Sequence, residues 1–379
     1  MLLRDTVIKV DLDDIAYNMD LIRKMAGSAA VMPVIKANGY GHGAVPIAAT
    51  LMKHGASYLA VATMTEALEL REAWPDYPLF ILGHTPDRLL PLAAENRIVS
   101  TIFSIEQGRI LSDLACKTGR SVKAHLKVDT GFHRLGATDL RQMAAVCRLP
   151  GLDVEGIFSH LALAGSEENE KQYRQFCAVI QGLEKEGITF RYHHLADSIS
   201  AVDDPKYRMD MIRPGALVFG LRGFHKGFLP VRQALTFETR ISQIHRIRKG
   251  EGVGYDYLWT APADTRIGTL PFGYADGYPR SMRGKGYVTI RGVKCPVVGV
   301  ICMDQCMVDL AGVPEAREGD RAVIYGNGRN NTMSIAEAAE LAGTNKNEIV
   351  SRLAARPPRV YIAGGSAHSI PSSVSAFRT

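Results

Sequence analysis

From residue 30 to about residue 220 the chain alternates short apolar runs with amphipathic stretches of helical length, and no other feature constrains the fold as much. The runs are AVMPVIKA (30–37), YLAVAT (58–63), PLFILGH (78–84), IVSTIFS (98–104), VKAHLKVD (122–129), DVEGIFSH (153–160), FRYHHLA (190–196) and MIRPGALVFG (211–220). Near-continuous apolarity over such lengths suits parallel strands covered on both faces. Eight strands with helices between them predict an α/β fold, a (β/α)8 barrel of the TIM type. A doubly wound sheet gives a similar alternation and stays open at this point. Helix starts are marked between the runs. Thr63 with Glu66, and Ser104 with Gln107, have capping-box spacing. Thr85-Pro86 reads as an N-cap followed by proline, and Gly55 as a C-terminal cap.

After about residue 230 the pattern changes. YVTIRGVKCPVVGVICMDQCMVDL (287–310) is long, β-branched and broken by Arg291-Gly292, which predicts antiparallel strands and hairpins. GDRAVIYGNG (319–328) continues this, and two short helices are expected at about 334–342 and 347–354. The expected domains are residues 1–229, a barrel, and 230–379, mainly β; the first ten residues or so are free to pair with the second. The serine-rich tail from Ser366 is expected to fray.

Composition narrows the function. A chain of 379 residues can build two cores. Its formal charge of +6 is spread thinly, without a basic block, which disfavours nucleic acid as a partner and leaves anionic ligands open. The six cysteines form no CxxC pair and are expected to be reduced thiols. The start MLLRD meets charge at once, no apolar run has membrane-spanning length, and a cytoplasmic enzyme is expected.

Chemistry concentrates in VIKANGYGHG (34–43). An apolar strand runs into Lys36, and a lysine at a strand end facing a cleft can form a Schiff base with a carbonyl cofactor. Gly39, Gly41 and Gly43 allow backbone N–H groups to turn toward a phosphate. The spacing is not a dinucleotide fingerprint and no Walker lysine follows, so nucleotide binding is disfavoured. Active sites of such barrels lie at the C-terminal ends of the strands. Lys36, Lys127, Arg134, His160 and His194 all fall at or just after those ends, and are expected to converge on one mouth.

Further strings extend across nearly the whole chain: LKVDTGFHRLG (126–136), GIFSHLA (156–162), HLADS (194–198), MIRPGALVFG (211–220), VGYDY (253–257), GTLPFGYADGYPR (268–280) and GVICMDQCMVDL (299–310). Together with residues 34–43 they resemble the alanine racemase family. The resemblance implies an isomerase that uses pyridoxal 5'-phosphate (PLP) on a small amino acid. Racemisation removes the α-proton on one face and returns it on the other, so two acid/base groups must flank a planar carbanion. Lys36 matches the family's Schiff-base lysine and one base, and Tyr255 the opposite base. A phenol with a pKa near 10 needs help at neutral pH, and His160 resembles the neighbour that gives it. Arg213 matches the arginine facing the pyridine nitrogen, with His194 behind it. Tyr40, Ser198, Gly215 and Ala216 match phosphate contacts. Arg134 resembles the arginine that holds the substrate carboxylate and the cofactor phenolate oxygen. Met303 resembles a backbone donor to the same carboxylate, and Tyr274 an entrance tyrosine. Lys127 matches a lysine that is often carbamylated to orient the arginine. In the family Tyr255, Tyr274 and Met303 reach the other subunit's site, which implies a head-to-tail homodimer. D-alanine synthesis or alanine catabolism would follow. No metal and no membrane partner is implied.

Four positions depart from the family pattern. Asp197 replaces asparagine, Phe219 and Ala355 replace tyrosines, and His133 replaces glycine. Ala355 removes a phenol that narrows the pocket, so a serine or broad-specificity racemase stays open beside alanine. A barrel decarboxylase or a non-catalytic PLP carrier remains as a lesser reading.

Overall fold

The structure is a computed structural model that describes residues 2–221, 223 and 226–368. Eight parallel strands make the barrel wall: β2 (Ala30–Val31), β3 (Leu59–Val61), β4 (Leu79–Ile81), β5 (Ile98–Ile102), β6 (Val122–Lys127), β7 (Leu152–Phe158), β8 (Tyr192–His194) and β9 (Met211–Ile212), with β1 (Val7–Asp11) ahead of them. Pairing runs in sequence order from β3 to β8, and β9 pairs with β2. The ring is closed by the Val34–Ala60 bridge and by the N–H of Arg213 donating to the Ala196 carbonyl at 3.0 Å. The barrel predicted from the alternation is therefore the fold. Its strands are buried along their length, as in β3, β4 and β5, which explains their unbroken apolar sequence.

Several boundaries differ from expectation. The first run stops pairing regularly at Val31 because Pro33 has no N–H to give, and residues 37–40 then turn left-handed, with φ of +51 to +61°. The last run pairs only over Met211–Ile212; Pro214 ends it, and Ala216–Phe219 is a 3-10 turn. Thr63 and Glu66 form the expected capping box. Ser104 caps the N–H of Gln107, but the Gln107 side chain reaches Phe103 rather than Ser104. Thr85 caps nothing: its hydroxyl is buried without a partner, and a 3-10 turn at Asp87–Leu89 precedes the helix Leu90–Glu95.

The second region is mainly β, as predicted. Its strands are β10 (Leu235–Arg240), β11 (Gln243–Ile247), β12 (Thr265–Leu270), β13 (Tyr287–Ile290), β14 (Val293–Val298), β15 (Cys306–Asp309), β16 (Arg321–Tyr325), β17 (Arg359–Ala363) and β18 (Ser366–His368). With β1 they form one sheet in the order β11-β12-β15-β14-β13-β16-β10-β1-β17-β18. β1 lies between β10 and β17, so the start of the chain is tied into this sheet. Arg291 and Gly292, at φ +50° and +80°, form the two-residue turn of the β13–β14 hairpin. Helices occupy Ile335–Ala342 and Lys346–Ser351. Ser366–His368 does not fray but pairs with β17; the rest of the tail lies outside the described residues. One apolar core runs from the barrel into the sheet and includes Leu51, Phe80, Phe237 and Tyr325. Among the described residues, no helix is long and apolar enough to cross a membrane.

Candidate active site

A cavity of about 400 Å³ opens at the C-terminal ends of the barrel strands. Lys36, Tyr40, Lys127, Arg134, His160, Ser198, Arg213, Gly215 and Ala216 all line it, so nine of the residues singled out from sequence share one space. Four of them are delivered by strand ends. Lys127 closes β6, His160 lies two residues past β7, Arg213 directly follows β9, and Lys36 follows the Val34 bridge. His194 does not line the cavity. It is fully buried beneath it and accepts a hydrogen bond on Nδ1 from Nη1 of Arg213 at 3.0 Å.

The electrostatics are one-sided. Lys36, Lys127, Arg134 and Arg213 face Asp197 as the lining carboxylate. Such a field suits a ligand carrying phosphate and carboxylate groups. Burial lowers the pKa of Lys36, and Arg134 lowers it further. Lys127 is pushed well below its ordinary value by burial, then by Arg213 and Arg134. Its Nζ sits 4.6 Å over the Phe158 ring. Burial and the cations around it take His160 down to about 2, so this imidazole is neutral. Arg213 is lowered by burial to about 10, with Asp197 opposing, and stays cationic. Its Nη2 donates to the carbonyls of Ser159 (2.8 Å) and Leu195 (2.9 Å), which locks the guanidinium in place.

The glycines after Lys36 do not present free N–H groups. The amides of Gly39, Gly41 and Gly43 donate to Ile35, Ala37 and Asn38 within the left-handed turn. The N–H groups of Gly215 and Leu217 likewise donate within the protein, converging on the Ser198 hydroxyl at 2.9 and 3.3 Å. The Tyr40 hydroxyl lies so close that a Cβ on Gly215 would strike it. Burial raises that phenol to about 12, so it is a neutral donor. Asp197 caps the helix Ser198–Asp203 by accepting from the N–H groups of Ile199 and Ser200. Phe219 stacks on His42 and packs against Tyr40. His133 is exposed at φ +57°, a conformation glycine adopts more readily.

Tyr255, Tyr274 and Met303 do not reach this cavity. They stand 66 %, 39 % and 52 % exposed on loops of the second region. The Tyr274 and Met303 loops are joined through the N–H of Tyr274 donating to Cys302 (3.1 Å) and that of Ala275 donating to Met303 (3.1 Å). Glu66, Asn347, His125 and Glu155 were not singled out from sequence. Glu66 was visible only as a helix cap. His125 shares a strand face with Lys127 through the two-residue period of β6, which was the signal available.

Residues 10–223 match the family described as alanine racemase, N-terminal domain, and residues 234–361 match alanine racemase, C-terminal domain. The alanine racemase of Desulforamulus reducens is 39% identical over 365 residues, covering 93% of this chain and 98% of that protein. The solved alanine racemase of Clostridium difficile 630 superposes with a TM-score of 0.93 at 30% identity, covering 99% of this chain and 100% of that one. The Bartonella henselae alanine racemase, solved with covalently bound pyridoxal phosphate, superposes with a TM-score of 0.87 at 27% identity, covering 94% and 99%. The chain belongs to the alanine racemase family.

Proposed function

We propose that this protein interconverts L- and D-alanine with pyridoxal 5'-phosphate. The observation that carries the reading is the convergence of Lys36, Arg134, His160 and Arg213 with the Tyr40–Ser198–Gly215 cradle in one cationic cavity. Lys36 would be the covalent attachment point, and Tyr40, Ser198, Gly215 and Ala216 would hold the phosphate. Bound there, the cofactor supplies an electron sink for the negative charge that builds on the α-carbon.

The chain's own groups supply the rest. Lys36, whose burial favours the neutral amine, moves a proton on one face of the α-carbon. Tyr255 of a second copy serves the other face, with neutral His160 beside it. With the cofactor bound, Arg213 would hold the ring nitrogen without yielding its own proton, which would favour racemisation over transamination. Arg134 grips the carboxylate, helped by the Met303 N–H of the second copy, and Tyr274 stands at the entrance. Lys127, depressed by burial and two arginines, offers the neutral amine whose nitrogen would bond to the carbon of CO2 and lose one proton to solvent, and the resulting carbamate anion would orient Arg134. The exposure of Tyr255, Tyr274 and Met303, the last two on loops joined by hydrogen bonds, supports a head-to-tail homodimer with shared sites. Six free cysteines support a cytoplasmic setting.

The test is chiral analysis of products from PLP-loaded protein given L-alanine, L-serine, L-lysine or L-arginine separately. Dominant D-alanine is the expected result. Faster conversion of another amino acid would favour the broad-specificity reading, for which Ala355 is the motivating residue. Release of CO2 would point to a decarboxylase, and no turnover at all to a carrier.

A further inference from the structure

Below the active-site cavity the barrel interior is not apolar. Nη1 of Arg213 lies 3.0 Å from Nδ1 of His194. Nε2 of His194 lies 2.8 Å from Nδ1 of His125. Nε2 of His125 faces a carboxylate oxygen of Glu155 at 3.6 Å. The same oxygen accepts from the Tyr58 hydroxyl at 2.5 Å, and the other oxygen pairs with Lys123. Both histidines are fully buried, whereas the Lys123 side chain is 47% exposed at the opposite end of the barrel. The line therefore runs from one mouth to the other through β9, β8, β6 and β7.

Donor chemistry gives this line a direction. A guanidinium has no acceptor, so Nδ1 of His194 must accept and its proton must sit on Nε2. Nδ1 of His125 must then accept as well, which leaves the second proton on Nε2, aimed at Glu155. Any reversal sets two N–H groups against each other between fully buried rings. The rings cannot rotate freely to escape. Phe158 stacks on His194 with centroids 4.7 Å apart and planes 5° from parallel, and Phe80 packs on His125 at 4.7 Å.

We propose that Glu155 is a positioning residue whose carboxylate, at the far end of this relay, faces the Nε2–H that Arg213 dictates on His125 and thereby holds His125, His194 and Arg213 in their pose. The relay itself depends on no assigned activity; its consequence for turnover rests on the racemase reading. That Arg213 meets a histidine is part of the site already described. The extension through His125 to Glu155, Tyr58 and Lys123 makes a surface-linked carboxylate responsible for the electronic setting at the ring nitrogen.

The experiment is ¹⁵N NMR of histidine-labelled protein at neutral pH, before and after loading with PLP. Wild type is expected to show His125 and His194 neutral and protonated on Nε2 in both forms. Glu155→Leu leaves that N–H without a facing carboxylate and is expected to shift the His125 and His194 ¹⁵N resonances and to lower kcat for alanine about tenfold with KM little changed. Glu155→Gln, whose amide oxygen can still face that N–H, is expected to restore both. Lys123→Met breaks only the ion pair and is expected to leave both tautomers intact. An Nδ1-protonated or doubly protonated His194 in wild type would overturn the proposal, and so would unchanged resonances and kcat in Glu155→Leu. If Glu155→Leu does not fold, the wild-type assignment decides alone. Absence of racemase activity with the Nε2 pattern intact would sink the racemase reading and leave the relay standing.

Discussion

The backbone N–H of Ala37 donates to a carboxylate oxygen of Glu66 across 2.6 Å. The second oxygen of Glu66 accepts from the N–H groups of Ala62 (2.8 Å) and Thr63 (3.1 Å). One side chain thus ties the residue after Lys36 to the end of β3 while capping the helix Met64–Ala73. The tie matters because Ala37, Asn38, Gly39 and Tyr40 are all left-handed, a conformation that costs about 1–2 kcal/mol for each residue with a Cβ. Glu66→Ala is expected to lower stability by about 1–3 kcal/mol and to speed loss of PLP from the loaded protein. Thermal unfolding and cofactor dissociation measure the two effects, and a variant matching wild type in both would contradict this role.

Gly41 marks the other side of the same turn. At φ +76° it lies against the Val350 carbonyl, and a Cβ there would overlap that backbone oxygen. Neither partner can move without shifting the turn or the helix Lys346–Ser351. Gly41→Ala should therefore cost about 2 kcal/mol or more. Gly27→Ala is the control, since Gly27 has φ +65° with open space around it. Equal thermal midpoints for the two variants would show that the contact with Val350 is not decisive.

Acid stability should report on Glu155. Burial alone would raise its carboxyl, but His125, Lys123 and Tyr58 outweigh this and hold it at about 2, below its ordinary 4.5. A carboxylate lowered on folding stabilises above its unfolded pKa, and that stability drains away as pH falls from about 4.5 toward 2. The contribution at neutral pH is on the order of 3 kcal/mol. Glu155→Gln should be less stable than wild type at pH 6, and the gap should narrow by pH 3. A gap independent of pH, followed by denaturant unfolding, would assign the loss to packing instead.

Ala355 is exposed and precedes Arg356, which pairs with Asp304 at 2.7 Å beside Met303. Ala355→Tyr should sharpen the preference for alanine over serine and lysine. Ala355 does not line the cavity of the single chain, so the effect would arise in the assembled site, where a methylene or two changes discrimination by about 1–3 kcal/mol. Ratios of kcat/KM among the three amino acids give the answer, and unchanged ratios would detach Ala355 from specificity.

Much of this was legible in the chain because its signals were local. The apolar runs, the Thr63–Glu66 box and the Arg291-Gly292 turn each state their structure within a few residues. Strand lengths were less legible, since Pro33 and Pro214 remove donors from runs that otherwise read as continuous β. The relay was hidden for a different reason. Tyr58, His125, Glu155 and His194 come from four segments, and only the closed barrel brings their side chains to one axis. Glu66 was half visible: its capping role follows from spacing, but its bond to Ala37 spans 29 positions.

The most direct test of the central claim mixes two inactive variants. Lys36→Ala and Tyr255→Phe should each lose on the order of 10³-fold or more in alanine racemisation. Tyr255 is exposed in the single chain, so its variant should fold normally. Refolded together in equal amounts, they form mixed dimers holding one intact pair of bases. The expected result is recovery of about a quarter of wild-type activity. No recovery, with mixed dimers shown to form, would contradict a site built from Lys36 of one subunit and Tyr255 of the other.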